Sequence, residues 1–355
     1  MKRKESVAIV TDALVGFGGA DRLLLTLLEV YPDADVYTSI YDPEKYPELQ
    51  DVSVHTTCIQ RLPFHSYWKR HYVPLSPIAF EPKMFSEDTA EISLSAGCAK
   101  GVITKDNVLH VGIILSPPRN QWNSRKQRGI MTQIVDGYLR VWDIEASLRP
   151  DALISISKYI QLQVKKIYKR DSDVIYPGID TQFWNLSSDT KDREDYYLIV
   201  SRLFSHKRID VAIEACRKTK DRLVIIGEGP ERNALENIAG DNVQFLGFLP
   251  DEDVRGHMRS CRGFLFPGVE DFGLAPVEAM ACAKPTVVTP SGGMVESVVA
   301  DETGFFVPKR DAGELARKIC ELLGDADLAG QMGQAGRRRA VEVFSRERMA
   351  KELEI

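Results

Sequence analysis

The chain has 355 residues, more than one typical hydrophobic core accommodates, so two domains are expected. Its 44% hydrophobic and 27% charged residues describe an ordinary globular protein, and no run approaches the roughly 18 apolar residues of a membrane-spanning helix. The net charge of −5 divides into +3 over residues 1–170 (22 basic, 19 acidic) and −8 over the remainder (24 and 32), which excludes strong nucleic-acid binding.

Short β-branched runs alternate with helical patterns along the chain, the pattern of βαβ units and parallel sheets. In the first half, strands are expected near Val7–Val10, Val36–Thr38, Val108–Ile114 and Ala152–Ile156. Helices are expected near Ala20–Val30, Lys126–Ser147 and Tyr159–Tyr168. The Pro-Gly break Tyr176-Pro-Gly-Ile-Asp180 and the polar stretch Asn185–Asp195 read as the linker. The second half restarts with strands near Tyr196–Val200, Leu223–Ile226, Val243–Leu246, Gly263–Phe266 and Thr286–Val288. Helices near Arg208–Lys218, Glu231–Ala239, Asp251–Arg259 and Gly313–Leu323 fall between or after them. The six cysteines form no CxxC pair; reduced, buried thiols in a cytoplasmic protein are expected, with neither a disulfide framework nor a zinc site.

Two basic clusters stand out, Arg61 to Tyr72 with interleaved aromatics and Arg119 to Arg128 with no acid. Each reads either as an interfacial segment or as a solvated face. Both halves also carry glycines where a strand turns into a helix: Gly16-Phe-Gly18-Gly19, and Gly227-Glu-Gly229. Such glycines either let a ligand approach the backbone or simply make a turn. Their recurrence points to a ligand held between two sheets.

The chemistry concentrates in the second half. Arg202 and Lys207, after the strand Tyr196–Val200, offer a planar fork and a point charge suited to a diphosphate. In VEDFGLAPVEAMA, Glu270 precedes a helix that Pro276 is expected to open, and Glu278 falls in its first turn. A helix N-terminus suits phosphate or sugar oxygens, and two carboxylates beside it accept hydrogen bonds from sugar hydroxyls. The other reading leaves Glu278 to complement its own helix and Glu270 to a solvated loop. Gly292 and Gly293 either add backbone N–H groups to the same place or make a turn.

The spacing of Glu270 and Glu278 resembles the E-x7-E motif of retaining glycosyltransferases of family 4, which have the GT-B fold. GGADRLLLTLLEVYPDADVYTSIYDPE, LRVWDIEASLRPDALISISKYI, VIYPGID, SRLFSHKRIDVAIEA, VIIGEGPERNAL, VQFLGF and FLFPGVEDFGLAPVEAMA carry that resemblance along nearly the whole chain. The branch it most resembles is the bacterial and archaeal mannosyltransferases of surface-polysaccharide assembly. The resemblance implies an α/β protein of two Rossmann-like domains facing each other across a cleft. Residues 1–178 would form the acceptor side, 179–344 the nucleotide-sugar side, and 345–355 a helix crossing back to the first domain.

The implied roles fall on individual positions. Glu278 would bind the ribose, and Glu270 the transferred sugar, helped by backbone N–H groups of Phe272, Gly273 and Leu274. Arg202 and Lys207 would hold the diphosphate, and Gly18 with Gly19 would close over it. Phe248 and Leu249 would hold the base, while Arg119 and Trp122 lie on the acceptor side. No metal and no cofactor is implied beyond the nucleotide sugar, with GDP-mannose expected as donor. The acceptor would be a glycan or lipid-linked sugar, with peripheral contact at the inner membrane face. Leu115 stands where many relatives carry a histidine toward the donor sugar. A catalytically weak relative acting as a sugar-binding subunit, and a transferase using a UDP-sugar, are the alternatives.

Overall fold

The computed structural model describes residues 7–62, 73–81, 90–122, 129–186 and 194–353. The chain divides into two compact units, Met1–Ile175 and Tyr176–Ile355. Each is an open parallel sheet covered by helices, the two-sheet α/β architecture expected for the GT-B fold. The basic segments 63–72 and 123–128 lie outside the described residues.

The first sheet contains β1 (Val7–Thr11), β2 (Asp35–Thr38), β3 (Val54–Thr56), β4 (Ala90–Ser95), β5 (Leu109–Ile114), β6 (Ala152–Ser155) and β7 (Asp173–Val174), in the order β3-β2-β1-β4-β5-β6-β7. Central strands of a parallel sheet are covered on both faces, and Ala8, Ile9 and Val10 are accordingly all buried. The helices Gly19–Val30, Ile130–Ala146 and Lys158–Tyr168 occupy the expected places. The last is capped by Ser157, whose hydroxyl accepts from the Ile160 N–H at 3.1 Å, and ends where Lys169 turns left-handed at φ 58°.

β4 has no counterpart among the expected strands, although it lies at the centre of the sheet. Its sequence, AEISLS, carries Glu91, Ser93 and Ser95, all buried. The Ser93 hydroxyl lies 2.8 Å from Nε2 of the equally buried His110 on β5. A central strand with this polar face does not present an apolar run.

The second sheet contains β8 (Tyr196–Val200), β9 (Arg222–Ile226), β10 (Val243–Gly247), β11 (Gly263–Phe266), β12 (Thr286–Val288) and β13 (Gly304–Phe306), in the order β10-β9-β8-β11-β12-β13. Its core joins Tyr197 and Ile199 of β8 and Leu223 and Ile225 of β9 to helices Ile209–Thr219 and Ala312–Gly324. The helix Ala326–Phe344 was not expected, because Gly330, Gly333 and Gly336 weaken its helical pattern. The structure explains two of them. A methyl at Gly333 would run into the Ala283 carbonyl, and one at Gly336 would meet Met280 at 3.2 Å, so both permit close packing, on the turn after the helix Leu274–Ala281 and on the helix itself.

The cysteines are free, as expected, but only Cys216, Cys261 and Cys282 are buried. Cys58 and Cys320 lie at the surface and Cys98 is half-buried, which corrects the expectation of uniformly buried thiols. Burial pushes the Cys216 and Cys282 thiols up to about 12. Among the described residues no helix is long and apolar enough to cross a membrane.

Candidate functional site

Strand order in the second sheet reverses between β8 and β11. Connections from these neighbours lead away on opposite sides, and the crevice at such a reversal is where open parallel sheets hold ligands. The loop after β8 carries Arg202 and Lys207, and the loop after β11 carries Glu270 to Gly273. Across this point the Lys207 Nζ donates to Glu270 Oε1. Lys207 is only 4% exposed and Glu270 26% exposed, so a buried cation faces a carboxylate that still meets solvent. The same ammonium lies 5.5 Å from the centre of the Phe266 ring. Arg202 does not join this pair. It is exposed, with its guanidinium 5.6 Å from the Phe204 ring.

The helix after this loop spans Leu274–Ala281 and begins two residues before the expected Pro276. Gly273 at φ 92° turns the chain into it, a conformation that favours glycine. Proline is third in the helix and Glu278 fifth, so Glu278 lies beyond the first turn. That position corrects the expectation of a first-turn residue complementing its own helix end, and its side chain is buried at 3% exposure.

Glycines lock the surrounding loops together. Gly292, at φ 66°, forms a parallel bridge with Glu270, and a methyl there would strike the Glu270 carbonyl oxygen. The Gly293 N–H donates to that oxygen at 3.0 Å. A methyl at Gly268 would come within 2.7 Å of the Lys207 Cα. Gly227 and Gly229 likewise abut the carbonyls of Ser201 and Leu203, with Leu203 N–H donating to Glu228 O at 2.9 Å. These glycines therefore bring backbone against backbone, which accords with the turn reading of Gly227 and Gly229. Phe248 and Leu249 follow edge strand β10, with β9 between them and β8; Gly247 at φ 73° accompanies a register shift there, and Phe248 is 70% exposed.

The first unit answers differently at its own reversal, between β1 and β4. Asp12, at the end of β1, accepts from the N–H groups of Ala96, Cys98 and Ala99 at 2.7, 2.7 and 2.8 Å. A protein carboxylate thus occupies backbone donors that would otherwise suit an external anion. Gly18 is extended and precedes the helix Gly19–Val30. A methyl at Gly16 meets nothing within 4 Å and one at Gly18 only Asp21 at 3.8 Å, so this loop, unlike those of the second unit, leaves space above its glycines.

Arg119 and Trp122 form the short helix Arg119–Trp122. The Trp122 indole N–H donates to Asp143 Oδ2 at 2.7 Å, and Asp143 also receives Lys100 Nζ at 2.5 Å and the Tyr168 hydroxyl at 2.9 Å. Lys100 and Asp143 are both buried, so Trp122 anchors this helix to an interior ion pair. Leu115 follows β5 directly, and its N–H donates to Ser95 O at 2.8 Å.

Sequence reasoning passed over two contributors. Asp12 carries no motif, since only the fold brings it to residues more than eighty positions away. Tyr176, within VIYPGID, stacks on Phe272 at 5.7 Å and 27°. Burial, and next the Glu296 carboxylate bonded to it, push the Tyr176 phenol up to about 12.

Residues 180–339, within the second unit, match the family of Glycosyl transferases group 1. The match covers most of the second unit and none of the first. The chain is 29% identical over 197 residues to an uncharacterized glycosyltransferase of Methanocaldococcus jannaschii, covering 54% of this chain and 55% of that one. It is 28% identical over 221 residues to the GDP-mannose-dependent alpha-(1-6)-phosphatidylinositol monomannoside mannosyltransferase of Mycolicibacterium smegmatis, covering 54% and 58%. The matches thus span little more than half the length of these relatives. Among solved structures, sucrose-phosphate synthase from Thermosynechococcus elongatus aligns over 99% of this chain and 97% of its own, with a TM-score of 0.79 at 18% identity. Anabaena HepE, solved with UDP and glucose, aligns over 98% and 97% with a TM-score of 0.75, also at 18% identity. Likeness at this identity supports the GT-B fold of the chain.

Proposed function

We propose that this protein is a retaining glycosyltransferase of family 4 that moves a sugar from a nucleotide-sugar donor, GDP-mannose, to a glycan or lipid-linked acceptor at the inner membrane face. The observation that carries this reading is the Lys207–Glu270 pair at the reversal of the second sheet, next to the helix that holds Glu278. The group 1 domain match supports glycosyl transfer, and the GDP-mannose dependence stated for the Mycolicibacterium relative supports the donor.

In this reading Glu278 accepts hydrogen bonds from the ribose, and Glu270 with the N–H groups of Phe272, Gly273 and Leu274 orients the sugar. Lys207 directs its charge to the diphosphate, and Arg202 folds in from the surface to join it. Phe248 and Leu249 take the base. The bond from the anomeric carbon to the diphosphate oxygen breaks, and the acceptor oxygen bonds to the same face of that carbon. The acceptor's proton passes to the departing diphosphate. Glu270 is then an electrostatic and positioning group, which distinguishes it from the nucleophilic carboxylate of a retaining glycosidase. Cations and backbone donors neutralise the leaving group, so no metal is required. Arg119 faces the acceptor, with Trp122 fixing its helix.

A second reading, a sugar-binding subunit with little turnover, is favoured by Leu115 alone, since an aliphatic side chain donates no hydrogen bond to the sugar. A thermal-shift panel of GDP, UDP, ADP and their sugars, followed by transfer assays with and without EDTA, tests both readings. The first expects selective stabilisation by one nucleotide sugar and EDTA-insensitive transfer; stabilisation without turnover would replace it with the second.

A further inference from the structure

The backbone passes from the first unit to the second at Tyr176, and this residue is built into the loop of the candidate site. Its ring lies 5.7 Å from Phe272, and Phe344 closes the triangle edge-on, 5.6 Å from Tyr176 and 5.4 Å from Phe272. Phe272 and Phe344 are both buried. Tyr176 is itself held on several sides. Arg348 Nη2 donates to its carbonyl at 2.7 Å, and its hydroxyl is bonded to Glu296, on the short helix Met294–Ser297 that follows Gly293. The residues that follow are pinned too: Ile179 N–H donates to Phe344 O at 2.8 Å, and Arg346 N–H to Ile179 O at 3.0 Å.

The site loop runs from Gly268 to Gly273, and glycines at both ends make its backbone permissive. Phe272 is its one large buried side chain. The Gly292 and Gly293 contacts hold the loop at Glu270, and a grip on the Phe272 ring adds a hold nearer the helix start. We propose that Tyr176 is a positioning residue for the site: its ring clamps Phe272 and thereby orients the N–H groups of Phe272, Gly273 and Leu274 toward the transferred sugar. The inference rests on the proposed function for what those amides bind, and on the aromatic cluster for the clamp. It makes sugar placement depend on the segment that joins the two units, while the ribose contact of Glu278 stands on its own helix.

The test compares Tyr176→Leu, Tyr176→Phe and Phe272→Leu in the full chain, by amide hydrogen exchange and by steady-state kinetics with nucleotide titration. Tyr176→Leu is expected to speed exchange at Phe272, Gly273 and Leu274 selectively. It should also lower kcat about 100-fold, the size of effect that a misplacement near 1 Å produces, with free-nucleotide Kd unchanged. Tyr176→Phe keeps the ring and should restore both readouts. Phe272→Leu breaks the stack from the other side and should reproduce the local pattern. Wild-type exchange and kcat in Tyr176→Leu would overturn the proposal, as would faster exchange spread over the whole second unit with a weakened Kd. If wild-type protein transfers no sugar, the proposed function fails, and a selective rise in exchange still upholds the clamp.

Discussion

The ion pair between Lys207 and Glu270 is unequal: the ammonium is 4% exposed and the carboxylate 26% exposed. Removing one member does not mirror removing the other. Glu270→Gln deprives a buried charge of this carboxylate and is expected to cost about 3 kcal/mol, whereas Lys207→Met leaves a carboxylate that solvent reaches, costing about 1 kcal/mol. Urea unfolding of both variants checks this, and equal losses would show that burial does not govern the pair.

The same geometry divides binding from transfer. Glu270→Ala should abolish transfer and leave free-nucleotide affinity nearly unchanged, because its carboxylate faces the sugar in the proposed reaction. Glu278→Ala should weaken nucleotide binding itself. Calorimetric titration of GDP and UDP into each variant decides the matter; parallel losses of affinity in both would contradict the division.

Gly292 and Gly16 form a matched contrast. Gly292→Ala meets a left-handed backbone and the Glu270 carbonyl, so a loss of at least about 2 kcal/mol is expected, together with loss of transfer. Gly16→Ala meets nothing within 4 Å and should stay within about 0.5 kcal/mol of wild type. A tolerated Gly292→Ala would mean that the loops after β11 and β12 are not locked together.

His110 gives the first unit an acid sensitivity. Burial holds its imidazole down to about 4, against the upward pull of Asp151. Below its ordinary value near 6.5 the unfolded chain takes up a proton that the folded chain refuses, so stability falls as pH drops from about 6.5 toward about 4, by about 3 kcal/mol in all. Urea midpoints across that window should fall in wild type and change less in His110→Asn.

Much of the α/β alternation could be read from the sequence because parallel strands such as Val7–Thr11 and Tyr196–Val200 are apolar on both faces. β4 escaped because a buried serine bonds a buried histidine on the neighbouring strand, which composition does not reveal. The helix Ala326–Phe344 escaped because its glycines serve close packing. At the site, Lys207, Glu270 and Glu278 were legible from charge and spacing. The separation of Arg202 from Lys207 was not, because it depends on how the β8 loop folds. Nor was the use of Gly227, Gly229, Gly292 and Gly293, since glycine looks the same whether it admits a ligand or another backbone. The contact from Tyr176 to Phe272 spans nearly a hundred residues and exists only in the fold.

Phosphorus NMR of purified protein incubated with GDP-, UDP- and ADP-sugars tests the central claim most directly. Release of the nucleoside diphosphate from one of these donors, GDP-mannose foremost, with none released by Glu270→Ala, is the predicted result. Tight nucleotide binding without diphosphate release from any donor would contradict it.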